Sequence, residues 1–386
     1  MTADDRLRRW RLLLGAADDG EGGGLTLEGL DIHRDATLEA LYGEGAERKG
    51  GLGKSSPRVA RWLGDIRTYF PTSVVQVMQR DAMDRLGLRE LLLEPELLES
   101  VQPDVHLVGT LLALNKAIPE RSRETARAVV RQVVEQLERR LAQATRQAVR
   151  GALNRAARTR RPRLTDIDWN RTILANLRHY QPEHRTVIAE KLIGYGRHLP
   201  EVSRDIILCI DQSGSMASSV VYAGVFAAVL ASIRSVRTRV VVFDTAVADL
   251  TDDLDDPVDV LFGIQLGGGT DINVALGYCE TLIERPRDTI LVLISDLFDG
   301  GEWESTKARA RAFVEGGVQV VALLALSDDG APGYSHDNAA DLADLGIPAF
   351  ACTPDLFPDL MAAAIARRSL AEWAATNDVT TAAPAD

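Results

Sequence analysis

Apolar residues recur at two different spacings along this chain, and the change of spacing divides it into two regions. Between residues 57 and 200 they recur every three or four positions, most clearly from Arg121 to Leu153, which predicts amphipathic helices. After Val202, short apolar runs alternate with longer amphipathic segments. This alternation predicts βαβ units, and therefore a mostly parallel sheet with helices on both faces.

The same patterns predict individual elements. In the first region, further helices are predicted over Val74–Leu86, Leu107–Ala117 and Thr186–Tyr195, with no competing strand alternation. In the second region, strands are predicted at Ile206–Ile210, Val240–Phe243, Ala246–Leu250, Thr289–Ile294, Val318–Leu326 and Ala349–Cys352. Helices are predicted between them at Ser219–Ile233, Asp271–Ile283 and Ser305–Val314, and after them at Asp355–Ala366.

Composition places the boundaries of these regions. Residues 1–56 are rich in Gly, Asp and Glu and predict a flexible lead-in with one helix near Leu7–Leu14. A helical domain over 57–200 and a Rossmann-like α/β domain over 201–370 follow. The last stretch, 371–386, ends in TTAAPAD and predicts a disordered tail. A chain of 386 residues is long enough to form both domains.

Charge and cysteine content exclude several classes of function. A net charge of −12 argues against a protein devoted to nucleic acid, whose phosphates require basic contacts. The three cysteines show no CxxC spacing, so they are expected to be buried free thiols in a reducing cytoplasm. The apolar run Leu12–Leu14 is too short for a signal peptide, and no uncharged stretch is long enough to span a bilayer. A cytoplasmic location is therefore expected.

Oxygen-bearing side chains follow the predicted strands and the GGG turn at residues 267–269. In an open parallel sheet, ligands bind beyond the carboxyl ends of the strands. The candidates are Asp211, Ser213, Ser215, Thr270 and Asp296. Two carboxylates and three hydroxyls are hard donors, which suit Mg²⁺ first, and Mn²⁺ or Ca²⁺ next, over zinc or copper. The sequence therefore predicts a divalent-cation site at this edge of the sheet.

Glycines are expected to shape this site. Gly214 is predicted to let the chain turn tightly between Ser213 and Ser215. The three glycines at 267–269 are predicted to adopt positive φ, which would allow their loop to approach the ion closely.

Other interpretations of the same residues stay open. Ser213 or Ser215 could act as a nucleophile, but their flanks do not make GxSxG, and no histidine is evidently paired with an acid. Asp211 could be an aspartyl-phosphate nucleophile, but a second carboxylate two residues later is missing. A metal-dependent hydrolase or phosphatase using the same oxygens is the alternative function. A purely structural role as turn and helix caps is the third.

Several neighbouring features are ambiguous. Asp271 is predicted to cap a helix, Asp299 and Glu302 either line the rim of the site or solvate a loop, and Asp244 is undecided. The stretch 48–55 nearly spells a P-loop, but no apolar strand precedes it, so it predicts a linker. The arginine cluster at 150–163 predicts a solvated helix face, with docking to an acidic partner as the next interpretation.

The motifs DQSGS, GGGTD and ISD, in that order, resemble the metal-ion-dependent adhesion site (MIDAS) of von Willebrand factor type A (VWA) domains. In that family the pattern is Asp-x-Ser-x-Ser, then a Thr, then an Asp. The resemblance implies that the five candidate residues form the metal shell. It also implies direct metal bonds from the two serines, and Asp or Thr contacts that can pass through water.

The segments DWNRTILANLRHY, FDTAVADLTD, QLGGGTDI and LISDLFDGGEWE resemble the bacterial VWA proteins grouped as CoxE-like, over about Pro57 to Arg368. This resemblance implies a MoxR-type AAA+ ATPase as partner, for which such proteins act as adaptor or co-chaperone. The function expected is non-enzymatic: a divalent-cation-dependent interaction module in which an Asp or Glu of a partner or client completes the metal shell.

Overall fold

The computed structural model describes residue 12 and residues 27–43, 56–85, 92–156, 158–159, 167–195, 204–233, 235–264, 267–327 and 333–382. Three predicted features lie outside these residues. They are the helix near Leu7–Leu14, apart from Leu12, the P-loop-like stretch 48–55, and the arginine side chains of the 150–163 cluster beyond Arg150. The chain divides into two compact units, Met1–Val133 and Val134–Asp386. The domain boundary predicted between residues 200 and 201 stays a prediction.

The described part of the first unit is helical. Its helices are α1 (Leu30–Tyr42), α2 (Ser56–Tyr69), α3 (Thr72–Arg85), α4 (Pro95–Ser100), α5 (Val105–Ala113) and the first part of α6 (Glu120–Ala156), with a 3₁₀ turn at Asn115–Ala117. The Asp104 side chain accepts a hydrogen bond from the Leu107 amide at 2.7 Å and so caps α5. The apolar positions of α6 that recur every three or four residues, such as Val130 and Val133, are buried.

Helix α1 falls inside the segment that the composition predicts to be flexible. Leu41 is 1% exposed, and the Trp62 indole of α2 donates to the Thr37 carbonyl at 3.1 Å. Burial of Leu41 and this hydrogen bond from a buried indole order a helix that its own propensity does not predict. For Leu30–Tyr42 the structure therefore differs from the predicted flexible lead-in.

The second unit begins with the rest of α6 and a region of short elements. They are α7 (Trp169–Ala175), a 3₁₀ turn (Leu177–His179), and four two-residue strands: β1 (Arg158–Thr159), β2 (Tyr180–Gln181), β3 (Thr186–Val187) and β4 (Gly194–Tyr195). Strand β1 pairs with β4, and β2 pairs with β3, both antiparallel.

The helix predicted over Thr186–Tyr195 is wrong, because this segment contains β3 and β4 instead. The amides of Glu190 and Lys191 donate to the side-chain oxygen of Asn176, at 3.0 and 3.1 Å, and the Asn176 amide donates to the Lys191 carbonyl at 2.8 Å. The Asn176 side chain therefore takes the place of the backbone hydrogen bonds that a helix would need here.

The main sheet has six strands in the order β10-β9-β8-β5-β6-β7. The strands are β5 (Arg204–Asp211), β6 (Val236–Phe243), β7 (Val247–Asp249), β8 (Thr289–Ile294), β9 (Gln319–Leu326) and β10 (Ala349–Cys352). All neighbouring pairs are parallel except β6 and β7, which are antiparallel. Strand β5 is central, and every residue of it except Arg204 is buried. A strand covered on both faces needs no polar alternation.

Helices cover both faces of this sheet. They are α8 (Ala217–Ala231), α9 (Pro257–Gly263), α10 (Ile272–Leu282), α11 (Trp303–Gly316), α12 (His336–Asp344), α13 (Phe357–Ile365) and α14 (Leu370–Thr376), with 3₁₀ turns at Gly214–Met216, Thr251–Asp253 and Pro286–Asp288. Ile207 and Cys209 of β5 share a buried cluster with Cys279 of α10 and Phe313 of α11. The preceding helices and this mostly parallel, helix-flanked sheet confirm the predicted fold class.

Helix α8 packs against β5, β6 and β9. Its Phe226 ring lies 4.3 Å from that of Phe357 in α13. The expectation that no uncharged stretch is long enough to span a bilayer is wrong for Gly214–Ala231, which is long and apolar enough by length and composition and is the one stretch among the described residues that passes this test. Because 72% of it is buried inside the structure, a core helix of the α/β domain accounts for its composition.

The structure differs from the predicted disordered tail over 371–386. Helix α14 occupies Leu370–Thr376, and the ring of its Trp373 lies 5.7 Å from that of Phe350. The Ala382 amide then donates to the Ala349 carbonyl at 2.8 Å, next to an antiparallel bridge between Phe350 and Thr381. Aromatic packing and pairing with β10 order this segment as far as residue 382.

Candidate metal centre

The site lies at the carboxyl end of β5, between its two parallel neighbours. Ile210 of β5 is in register with Ile294 of β8, so the residues that follow these strands emerge side by side. Paired strands are about 4.8 Å apart, which brings Asp211 close to the Ser295-Asp296 pair. Strand order also reverses here: the chain leaves β5 toward β6 on one side and later returns to β8 on the other. Ligand sites form at such switch points in α/β sheets.

Asp211 is the most deeply buried member of the site, with 0% exposure. One carboxylate oxygen accepts from the Ser213 amide at 2.8 Å, and the other accepts from the Ser295 hydroxyl at 2.7 Å. Burial raises the pKa of the Asp211 carboxyl. The hydrogen bonds from Ser213 and Ser295 oppose this rise, and the nearby charge of Asp296 adds to it. A cation at this position would compensate the cost of burying the charge.

The two motif serines connect this carboxylate to the second one. The Ser213 and Ser215 hydroxyls lie 3.2 Å apart, and Ser215 donates to Asp296 Oδ2 at 2.5 Å. Asp296 is 3% exposed, whereas Ser215 is exposed and Ser213 half-buried. Four of the five predicted residues therefore form one continuous chain of polar contacts, with carboxylates inside and hydroxyls toward solvent.

Thr270, the fifth predicted residue, joins this edge through its backbone. Its carbonyl accepts from the Gly300 amide at 2.8 Å, in the loop that follows Asp296. Earlier in the loop that precedes α10, the Gly267 amide donates to the Gln212 carbonyl at 3.0 Å. These two hydrogen bonds attach the loop before α10 to the loop after β5 and to the loop after β8. Thr270 is 8% exposed there.

The glycine predictions are confirmed in part. Gly267 and Gly268 have φ of 119° and 106°, as the approach of the loop requires, and a Cβ on Gly268 would lie 3.2 Å from an Asp244 carboxylate oxygen. Gly269 does not have a positive φ. The chain does turn tightly at Gly214, in a 3₁₀ turn at Gly214–Met216, but the φ of Gly214 is not positive and an added Cβ would meet nothing within 4 Å, so this turn does not require a glycine.

Other carboxylates near the site are engaged by backbone amides. Asp271 accepts from the Val274 amide at 2.9 Å and caps α10, as predicted. Asp299 accepts from the Ile272 amide at 3.2 Å and from the Thr306 hydroxyl at 2.9 Å. Asp244 accepts from the amide of residue 246 at 2.7 Å. Through these hydrogen bonds, Asp271, Asp299 and Asp244 stabilise the loops around the site.

Ser295 has a role at the site that the motif pattern does not predict. Its hydroxyl donates to Asp211 and accepts from the Leu297 amide at 3.0 Å, so it fixes the inner carboxylate against the loop after β8. The signal available in the sequence is its position directly after the buried run that forms β8, whose last residue is in register with Ile210.

The donor chemistry of the site fits a hard dication. Two buried carboxylates converge with hydroxyls and with no His or Cys, and none of the ion pairs among the described residues involves Asp211 or Asp296. The described residues contain no cluster of three or more His, Cys, Asp or Glu side chains placed to hold a metal, so any cation here would depend on hydroxyl oxygens as well. Such a donor set suits Mg²⁺ over zinc.

A six-stranded, mostly parallel sheet with an Asp-x-Ser-x-Ser loop after its central strand defines a VWA-type domain. The model of the family described as "VWA domain containing CoxE-like protein" matches residues 139–361, more than half of the chain. The protein belongs to this CoxE-like VWA family, which confirms the resemblance found in the sequence.

One curated relative is the uncharacterized protein YehP of Escherichia coli, which is 35% identical over 358 residues. The match covers 90% of this chain and 93% of the relative. Among solved structures, an aerotolerance-related membrane protein of Bacteroides fragilis is 17% identical, with a TM-score of 0.36 and coverage of 42% of this chain and 99% of that one. A von Willebrand factor type A protein of Catenulispora acidiphila is 14% identical, with a TM-score of 0.32 and coverage of 42% of each chain.

Proposed function

We propose that this protein is a divalent-cation-dependent protein-interaction module, in which an Asp or Glu of a partner completes the shell of a cation held at the end of β5. The observation that carries the proposal is the continuous chain of polar contacts from Asp211 through Ser213 and Ser215 to Asp296. It offers buried negative charge and exposed neutral donors, and no basic side chain neutralises it through an ion pair among the described residues.

The charge balance favours an external carboxylate. Asp211 and Asp296 neutralise a dication, and hydroxyls fill further positions, but Mg²⁺ takes six ligands and keeps water where the protein supplies none. A partner carboxylate can displace such a water. Excluding solvent at that contact strengthens the attraction, because Coulomb energy rises as the local dielectric falls. Ser215, on the solvent side, marks the direction from which a partner would approach.

We propose a MoxR-type AAA+ ATPase as the partner, with this protein as its adaptor or co-chaperone in the cytoplasm. Membership of the CoxE-like VWA family supports this pairing. In this scheme ATP is hydrolysed by the partner, and the metal centre supplies attachment without turnover.

The test is capture of a purified MoxR-type ATPase from the same organism by the immobilised full-length protein, in Mg²⁺ and in chelator. Asp211→Asn removes the inner charge and keeps the shape of the side chain, so it should lose Mg²⁺-dependent capture. Asp205→Asn is the matched control. It makes the same change at the other end of β5, where Asp205 pairs with Arg285 at 2.9 Å, and it should keep capture.

Capture that is equal in Mg²⁺ and chelator, and equal in Asp211→Asn and wild type, would overturn the metal-bridge proposal. The alternative hydrolase or phosphatase is measured in parallel with p-nitrophenyl phosphate and p-nitrophenyl acetate. Turnover of either compound that disappears in Asp211→Asn or Ser213→Ala would favour that alternative.

A further inference from the structure

A single aromatic side chain stands exposed beside the metal centre. Among the described residues from 204 to 382, three large hydrophobic side chains are exposed: Val274, Phe298 and Val314. Phe298 is 56% exposed and lies two residues after Asp296. If a partner covers this ring, apolar surface is removed from water, which favours binding.

The turn that carries Phe298 is fixed from within the domain. Leu297 has a φ of 61°, a left-handed conformation that non-glycine residues rarely adopt, and its side chain is nevertheless 0% exposed. Its carbonyl accepts from the Asp299 amide at 3.0 Å and from the Asn338 side chain at 2.9 Å. Burial of Leu297 in this conformation places the next residue, Phe298, on the outside.

The loop is also held on its far side. Asp299 accepts from the Ile272 amide at the start of α10 and from the Thr306 hydroxyl in α11. The Gly300 amide donates to the Thr270 carbonyl at 2.8 Å, and a Cβ on Gly300 would lie only 3.1 Å from that oxygen. With the chain fixed before and after Phe298, its backbone loses little conformational entropy when a partner covers the ring.

Phe298 is directly connected to the metal centre. Its amide lies 3.3 Å from Asp296 Oδ1, while the other oxygen of the same carboxylate accepts from Ser215. Since N and Cα are about 1.5 Å apart, the Phe298 Cα lies within about 5 Å of that carboxylate oxygen. Residues of an extended peptide are spaced at about 3.4 Å. One residue of such a peptide can therefore contact a cation bound by Asp296, while its neighbour contacts the phenyl ring of Phe298.

We propose that Phe298 is a specificity-determining residue of the interaction surface, and that the partner segment carries a large apolar side chain one or two positions from its Asp or Glu. This inference rests on the proposed function and specifies the partner of the same site. The cation binds the carboxylate, and the ring packs against the apolar neighbour. A segment with a carboxylate between polar residues leaves the ring in water, so it binds more weakly. Fixed aromatic side chains commonly dominate binding energy in this way.

The test uses two immobilised acetylated peptides of the form Gly-Leu-Asp-Leu-Gly and Gly-Ser-Asp-Ser-Gly, with binding of the full-length protein measured in Mg²⁺ and in chelator. Wild type should bind the leucine peptide about tenfold more tightly than the serine peptide. Phe298→Ala should lose this preference, and Phe298→Leu should keep most of it. The stabilisation of Phe298→Ala by Mg²⁺ should equal that of wild type, because the side chain does not supply a ligand.

Val314→Ala is the matched control, since it shortens an exposed apolar side chain on α11 and should bind both peptides as wild type does. Equal affinity of wild type for the two peptides, or an undiminished preference in Phe298→Ala, overturns the inference. If Asp211→Asn still abolishes Mg²⁺-dependent binding in that case, the proposed function stands without it. Binding that is unaffected by chelator and by Asp211→Asn overturns the proposed function itself.

Discussion

Replacing Asp211 by asparagine should change the stability of the protein in opposite directions with and without a divalent cation. The Asp211 carboxylate is fully buried, and burial raises its pKa, so its charge opposes folding when no cation is bound. An asparagine can still accept from the Ser213 amide, and it can donate to the second lone pair of the Ser295 hydroxyl oxygen, which also accepts from the Leu297 amide. In chelator, Asp211→Asn should therefore be at least as stable as wild type.

The expected size of the cation effect follows from binding linkage. At a free Mg²⁺ concentration about a hundred times its Kd, a cation that binds only the folded state stabilises it by about 2.7 kcal/mol. For a unit of the size of Val134–Asp386, each kcal/mol moves Tm by about 2–4 °C, so the wild-type Tm should rise by about 5–11 °C. The Tm of Asp211→Asn should rise by less than about 2 °C, because the buried charge that attracts the cation is gone.

The assay is thermal unfolding followed by circular dichroism across a Mg²⁺ titration, with chelator as the zero point. Asp205→Asn serves as control, because its ion pair with Arg285 lies at the other end of β5. This control should unfold at a lower temperature than wild type in both conditions and keep the full Mg²⁺ shift. If Asp211→Asn keeps the wild-type shift, or if it is the less stable protein in chelator, the reasoning from buried charge fails.

The remaining predictions concern the loops, the thiols and one helix cap. Gly214→Ala should leave Tm unchanged. Gly268→Ala should lower the free energy of unfolding by about 1–3 kcal/mol, because the φ of Gly268 is 106° and the added Cβ would crowd Asp244. Equal Tm values for the two variants would contradict this prediction. Burial raises the pKa of Cys352 to about 12, and all three cysteines are buried, so a thiol reagent at about pH 8 should label none of them in the native protein and all of them in denaturant. Burial also raises the pKa of the Asp104 carboxyl, so the stability this residue contributes is present below about pH 4 and is lost as pH rises through its folded-state pKa. In urea unfolding, Asp104→Asn, which keeps the cap, should gain stability relative to wild type as pH rises toward about 7, and a difference that does not change with pH would argue against it.

Much of the α/β domain could be predicted from the sequence because its strands are fully buried. Strands β8 and β10 begin and end at the predicted residues, since a short apolar run bounded by polar residues or by a proline suits a buried strand. The positions of Asp211 and Asp296 follow from the same rule, because the parallel strands all end at one edge. Their proximity is therefore a consequence of topology.

What could not be predicted depends on contacts between distant segments. The left-handed backbone of Leu297 and the hydrogen bond from Ser295 to Asp211 arise only once β5 and β8 pair in register. The helix predicted over 186–195 is wrong because one side chain, Asn176, satisfies the local amides, and hydrophobic spacing carries no information about that. Helix α9 is not predicted by apolar spacing, because its seven residues are too few to show a period, although Asp256 caps it and Pro257 opens it.

The pairing of β5 with β8 also determines when this protein can begin to work. Asp211 ends the first strand of the main sheet, but β8 starts only at Thr289, after two more strands and three helices. During synthesis, the two carboxylates are therefore on separate, unconnected stretches until the ribosome has released most of the domain. A chain that ends before β8, or has not yet exposed it, cannot bring Asp211 and Asp296 together, so the proposed cation site would exist only in molecules in which β5 and β8 are paired.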